Sequence, residues 1–185
     1  MPVPPDADPV VAADPVGSVV ETAVGPWGLA TATFDTARRY RFRLSRVWDP
    51  GGPRVCFVML NPSTADAHVL DPTVRRCAGF AGAWGAGAFE VTNVFALRST
   101  DPAGLMRVDD PVGPGNDRAI LAAARAADRV VCAWGTRATL LGRHATVLDL
   151  LRGAGVAPAA LRLTRDGFPG HPLYLPRDAV PDRLL

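Results

Sequence analysis

Three polar residues stand where apolar segments stop. Asn61 follows Val55-Cys56-Phe57-Val58-Met59-Leu60 and precedes Pro62, Asn93 closes Phe89-Glu90-Val91-Thr92, and His171 lies between Gly170 and Pro172. The Asn61 amide donates and accepts hydrogen bonds at once, which suits a nucleobase edge or a bound water. It does not ionise near neutral pH, so it would position a nucleophile rather than deprotonate one. The competing reading is an Asn-Pro turn whose side chain bonds to nearby backbone. Asn93 is either a pocket-facing amide completed by ligand or water, or a tie for the Ser99-Thr100-Asp101-Pro102 loop. A neutral His171 can donate to a developing anion; its alternative is a loop histidine bonded to backbone. Asp66 is the first candidate for a general base, because Asp71 reads as a helix cap. Arg98 is the anion candidate, and Phe95 and Phe168 could stack on a base. Pro62, Ser63, Trp134 and Gly135 complete the candidate substrate-binding set, although a tryptophan such as Trp134 reads first as core.

These residues need a scaffold that brings distant segments together. Tyr40 to Val47 alternates apolar and basic residues, the mark of a half-exposed strand. Residues 55–60 form a continuous apolar run, as a central strand covered on both faces requires. Asp71-Pro72 opens a helix, with Val74, Cys77, Ala78, Ala81 and Trp84 at helical spacing. A strand over 89–94, a helix capped by Asn116 or Asp117 and a strand over 130–133 follow. Thr136 is expected to cap a long helix that stops at Gly153 or Gly155, and a last strand is expected over 161–164.

This alternation predicts a three-layer α/β/α domain with a central four-stranded, mainly parallel sheet, plus an N-terminal strand or hairpin. Residues 1–25, rich in Pro, Asp, Ala and Val, are expected to be a disordered tail, and residues 26–185 a single domain. In parallel sheets ligands bind outside the carboxyl ends of the strands. That rule gathers Asn61, Asn93, Trp134 and the loop from Arg165 to Pro172 at one edge.

Composition removes several chemistries. All 20 basic residues are arginine, so a Schiff-base lysine, a pyridoxal-phosphate lysine and a Walker lysine are excluded. Any phosphate would meet arginine or backbone amides. The net charge of +2 gives no strong electrostatic footprint, so it neither shows nor excludes extended nucleic-acid binding. Three cysteines at scattered positions argue against a disulfide framework and for a reducing cytoplasm. His68, His144 and the cysteines have no metal-ligand spacing, so neither a metal nor another cofactor is expected. The N-terminal residues lack the basic and apolar regions of a secretory signal. No apolar run approaches the roughly 20 residues that span a bilayer, so no membrane partner is expected. Nothing in the sequence names a protein partner.

Five ordered segments carry a resemblance. They are Met59-Leu60-Asn61-Pro62-Ser63-Thr64-Ala65-Asp66, Asp71-Pro72-Thr73-Val74-Arg75-Arg76-Cys77, Thr92-Asn93-Val94-Phe95-Ala96-Leu97-Arg98, Ala133-Trp134-Gly135 and Gly170-His171-Pro172-Leu173-Tyr174-Leu175. Together, over roughly Tyr40 to Leu175, they resemble the bacterial family called domain of unknown function 1643. More distantly, their order is similar to that of the uracil-DNA glycosylase superfamily. This second resemblance implies that Asn61 places an attacking water, Asn93 reads a base edge and His171 stabilises charge on the departing base. It implies a nucleobase-containing substrate held outside the base stack. The iron–sulfur branch of that superfamily needs four cysteines, which this chain lacks. The expected function is a glycosylase-like hydrolase acting on the N-glycosidic bond of a nucleobase in DNA, a nucleotide or a nucleoside. The alternative is a non-catalytic nucleotide or modified-base binding module using the same pocket. A third reading, an unrelated hydrolase pairing Asp66 with His171, lacks a Gly-x-Ser-x-Gly elbow.

Overall fold

The computed structural model describes Pro15 and residues 17–184. Eight strands form one mixed sheet: β1 (Val19–Gly25), β2 (Gly28–Phe34), β3 (Arg41–Val47), β4 (Arg54–Met59), β5 (Ala88–Asn93), β6 (Arg129–Cys132), β7 (Ala159–Ala160) and β8 (Asp182–Arg183), in the order β1-β2-β3-β5-β4-β6-β7-β8. Antiparallel pairing joins β1 to β2, β2 to β3, β3 to β5 and β7 to β8. Parallel pairing joins β5 to β4, β4 to β6 and β6 to β7. The expected four-stranded, mainly parallel sheet is therefore corrected to eight strands in which antiparallel pairings are the majority.

The N-terminal strand or hairpin expected from the sequence is a three-stranded meander, β1 to β3. Its first strand lies inside the segment expected to be a disordered tail, so that boundary moves back to before Val19. The rest of the expected tail, residues 1–14 and 16, lies outside the described residues. The meander also explains why β3 is not half-exposed. It lies between β2 and β5, and both Arg41 and Arg43 are buried, Arg43 pairing with Glu90.

Helix α1 (Pro72–Ala83) connects β4 to β5 and starts as the sequence predicts: Asp71 accepts from the Val74 amide at 2.8 Å and Pro72 occupies the first turn. Its Val74, Cys77, Phe80 and Ala81 pack with Val55, Phe57, Met59 and Val91 on one face of the sheet. Helices α2 (Asn116–Arg125) and α3 (Arg143–Gly153) share a second cluster with Cys56, Val58, Val130 and Cys132 on the opposite face. The chain thus leaves β4 toward β5 on one side and returns to β6 on the other.

Three local expectations change. The cap of α2 is Gly115, at φ 79°, and Asn116 turns inward to donate to the carbonyls of Asn93 at 2.9 Å and Val94 at 3.3 Å. Thr136 opens a 3-10 segment, Thr136–Gly142, rather than a long α-helix; Leu141 and Gly142 are left-handed and α3 begins only at Arg143. The strand expected over 161–164 is replaced by β7 at Ala159–Ala160. After it the chain folds back through a turn at Gly167, with Leu163 bridged to Pro169 and the Gly170 amide bonded to the Arg162 carbonyl at 2.7 Å. Exposed Arg162, Leu163 and Arg165 do not supply the buried run that a central strand needs. No helix among the described residues is long and apolar enough to cross a membrane.

Arg143, at the start of α3, donates through Nε to the Val94 carbonyl at 3.0 Å and through Nη2 to Asp117 at 2.5 Å. Replacing it with methionine leaves a buried carbonyl short of a donor, and Arg143→Met is expected to lower stability by about 2 kcal/mol in urea unfolding.

Candidate functional site

A cavity of about 380 Å³ opens where β4, β5 and β6 end, the edge selected by the strand-end rule. Its floor is made by buried Arg41, Met59, Val91, Asn93 and Trp134. Asp71, Thr73 and Val74 from the start of α1 form one wall. Ser99, Thr100 and Pro102 face it from the loop after β5, and Thr136, Arg137, His171 and Tyr174 complete the rim.

Of the residues singled out in the sequence, Asn61, Ser63, Asn93, Trp134, Gly135 and His171 line this cavity together. The Asn61 side chain bonds to nearby backbone, as its competing reading has it. Its Nδ2 donates to the carbonyls of Pro62 at 2.9 Å and Ser99 at 2.8 Å, which fixes the ring of loops. Neither of these bonds uses Oδ1, the acceptor of the same side chain. The tie to the Ser99 loop, one alternative for Asn93, thus comes from Asn61. Asn93 itself is 1% exposed, and its Oδ1 is buried without a hydrogen-bond partner. The Trp134 Nε1 is in the same condition. Such orphaned polar atoms carry a desolvation cost that a ligand or water can offset. Gly135 leaves β6 at φ 73°, a region that favours glycine, and its amide donates to the Pro169 carbonyl at 2.8 Å.

His171 caps the short 3-10 turn Pro172–Tyr174. Its Nδ1 accepts from the Leu173 amide at 3.4 Å, which leaves the proton of the neutral ring on Nε2. Burial pushes its pKa below the ordinary 6.5, and the Asp71 carboxylate partly offsets that effect. A neutral donor at physiological pH follows.

The other predicted site residues do not reach the cavity wall. Asp66 accepts from the amides of His68 and Val69, both at 2.8 Å, in a local turn. The carboxylate that lines the cavity is Asp71, which caps α1 at the same time. Pro62 is buried behind the site, its carbonyl bonded to Ser99 and Asn61. Phe95 is fully buried in the cluster under α2 and α3. Arg98 lies over the Phe34 ring and donates to the carbonyls of Ser63 at 3.4 Å and Arg38 at 3.2 Å. Phe168 packs edge-on against His144, with ring centroids 5.3 Å apart. Loop aromatics and arginines after a strand satisfy the local backbone as readily as a ligand, and spacing does not distinguish the two.

Arg41 is the residue that the alternating pattern concealed. A basic residue in an alternating strand reads as solvent-facing, yet Arg41 is 1% exposed on the cavity floor. Its Nη1 donates to the Ala65 carbonyl at 2.7 Å and its Nε has no partner. Burial pushes its pKa down to about 10; Asp71 and Asp66 favour the charged form, while Arg98 opposes it. The guanidinium therefore remains charged at neutral pH. Among the described residues no group of three or more His, Cys, Asp or Glu side chains could hold a metal ion. Cys56, Cys77 and Cys132 are free and buried, and burial pushes each thiol pKa up, away from thiolate chemistry.

The family model described as "Protein of unknown function (DUF1643)" matches residues 41–173. The chain belongs to the DUF1643 family. The DUF1643 segment begins at Arg41 and ends just past His171, so it contains every cavity residue named above except Tyr174. No curated protein and no solved structure matches the chain.

Two outcomes are expected. Asn93→Leu removes an unpaired buried amide, so its thermal midpoint should hold or rise relative to wild type even though the site is damaged. Below about pH 6.5 the unfolded chain takes up a proton at residue 171 before the folded chain does. The stability contributed by neutral His171 is thus full above that pH and is lost as pH falls. Comparing urea midpoints of wild type and His171→Gln between pH 7 and pH 5 should show a shallower decline in the variant.

Proposed function

We propose that this cavity binds a nucleobase-containing ligand and that the protein hydrolyses its N-glycosidic bond. The observation that carries the reading is Asn93, a buried amide on the cavity floor whose Oδ1 has no partner among the described residues. An amide with donor and acceptor side by side is suited to the edge of a nucleobase. The cavity volume falls within the about 300–1,000 Å³ common for small-molecule sites. The sheet order β5-β4-β6-β7 is read as the counterpart of the four-stranded sheet of the uracil-DNA glycosylase superfamily, and the order of motifs points the same way.

In this reading Asn61 Oδ1 orients a water, whose oxygen bonds to the anomeric carbon as the bond from carbon to base nitrogen breaks. The bond's electrons leave with the base, and His171 Nε2–H donates to the developing negative charge. The base then takes a proton and the sugar retains the hydroxyl. Asp71 is the carboxylate on the same wall that can accept the water's proton.

A second reading, the non-catalytic nucleotide or modified-base binding module, is favoured by one observation. Asp66, the base expected from the sequence, is held by backbone amides away from the cavity. Incubating the protein with nucleosides, nucleotides and oligonucleotides carrying modified bases, and assaying released base, separates the two. Hydrolysis predicts product that falls by on the order of 10²- to 10⁴-fold in Asn61→Ala and His171→Ala. Undiminished release in both variants would remove the assigned roles. A ligand-dependent rise in melting temperature without product would favour the binding module.

A further inference from the structure

The reaction just described leaves Arg41 without a task. Burying a charge is costly unless an opposite charge and hydrogen bonds accompany it. Here one backbone carbonyl accepts from Nη1, Nε is orphaned, and no carboxylate among the described residues forms an ion pair with the group. Asp71, on the neighbouring wall, has an oxygen bonded to the Val74 amide. The unpaired guanidinium lies on the cavity floor. A second cation, exposed Arg137, stands at the rim.

We infer that the cavity receives an oxyanion of its ligand against Arg41, and, resting on the nucleobase reading above, that the substrate is a free nucleoside monophosphate. Arginine presents a planar fork of donors that matches phosphate oxygens. A base flipped from a nucleic acid enters a pocket while its phosphates stay on a backbone running outside. A guanidinium that is 1% exposed on the cavity floor does not meet that backbone. A terminal phosphate on a small molecule can enter with the base.

Calorimetric titration of the full chain with nucleoside 5′-monophosphates, the matching nucleosides, inorganic phosphate and a single-stranded oligonucleotide tests this. Monophosphates are expected to bind on the order of 10- to 100-fold more tightly than nucleosides, with inorganic phosphate competing. Arg41→Gln should abolish that difference and Arg41→Lys should retain part of it. The wild-type comparison needs no variant, so it decides the matter even if Arg41→Gln fails to fold. Equal affinity for nucleosides and monophosphates, without competition by phosphate, overturns the oxyanion site and leaves the nucleobase reading intact. Phosphate binding that Arg41→Gln removes, with no added affinity from any base, supports the oxyanion site and overturns the nucleobase reading. Tightest binding by the oligonucleotide, with a steep salt dependence, overturns the free-nucleotide assignment.

Discussion

One backbone carbonyl, that of Val94, holds together the parts that make the cavity. It accepts from Arg143 Nε at 3.0 Å and from Asn116 Nδ2 at 3.3 Å. These donors are the first residues of α3 and α2, so two helices distant in sequence are tied to the end of β5. The amide side of the same segment is also engaged: Val94 donates to the Met59 carbonyl at 2.9 Å and Phe95 to the Leu60 carbonyl at 3.0 Å. Beyond their regular ladder, β4 and β5 thus remain in step until both have delivered their asparagines. A buried carbonyl without donors would cost on the order of 1–3 kcal/mol, and here it organises three elements instead.

Around that anchor the polar groups are distributed unevenly. The buried side-chain atoms left without partners among the described residues are at Glu21, Arg41, Arg46, Asn93, Asn116 and Trp134. Arg41, Asn93 and Trp134 share the cavity. Elsewhere the buried charged groups Arg43 and Arg143 have carboxylate partners, and the apolar interior is divided by the sheet into one cluster under α1 and another under α2 and α3. A chain selected for stability alone would fill the cavity floor with residues like its neighbours Met59 and Val91. The groups found there are two donors and an acceptor without partners among the described residues, a local departure from the agreement between burial and polarity that stability alone would favour.

The central scaffold was legible where local chemistry and burial agree. Asp71-Pro72 names both the start of α1 and its cap, and the apolar run 55–60 could only be a covered strand. That Asn61, Asn93 and His171 line one cavity was legible because each interrupts or follows a segment whose direction the strand-end rule supplies. The meander β1 to β3 was less legible, because its burial depends on neighbours that no local window contains; the same ignorance made Arg41 look solvent-facing. Thr136 failed as a cap because helical spacing of Leu140 and Leu141 hides the left-handed turn at Leu141 and Gly142. Asp66 and Asp71 are carboxylates five residues apart, and only the folded chain decides which of them lines the cavity.

The left-handed interruption at Leu141 and Gly142 separates two kinds of construction. The cavity floor belongs to paired strands, where a shift of one residue would reverse every side chain. The rim at Thr136 and Arg137 belongs to a short 3-10 segment that ends in that interruption before α3 begins. No ladder crosses it, so exchange of exposed Thr136 and Arg137 leaves the pairing beneath Asn93 and Arg41 intact. The doorway is thus free of the register that binds the floor.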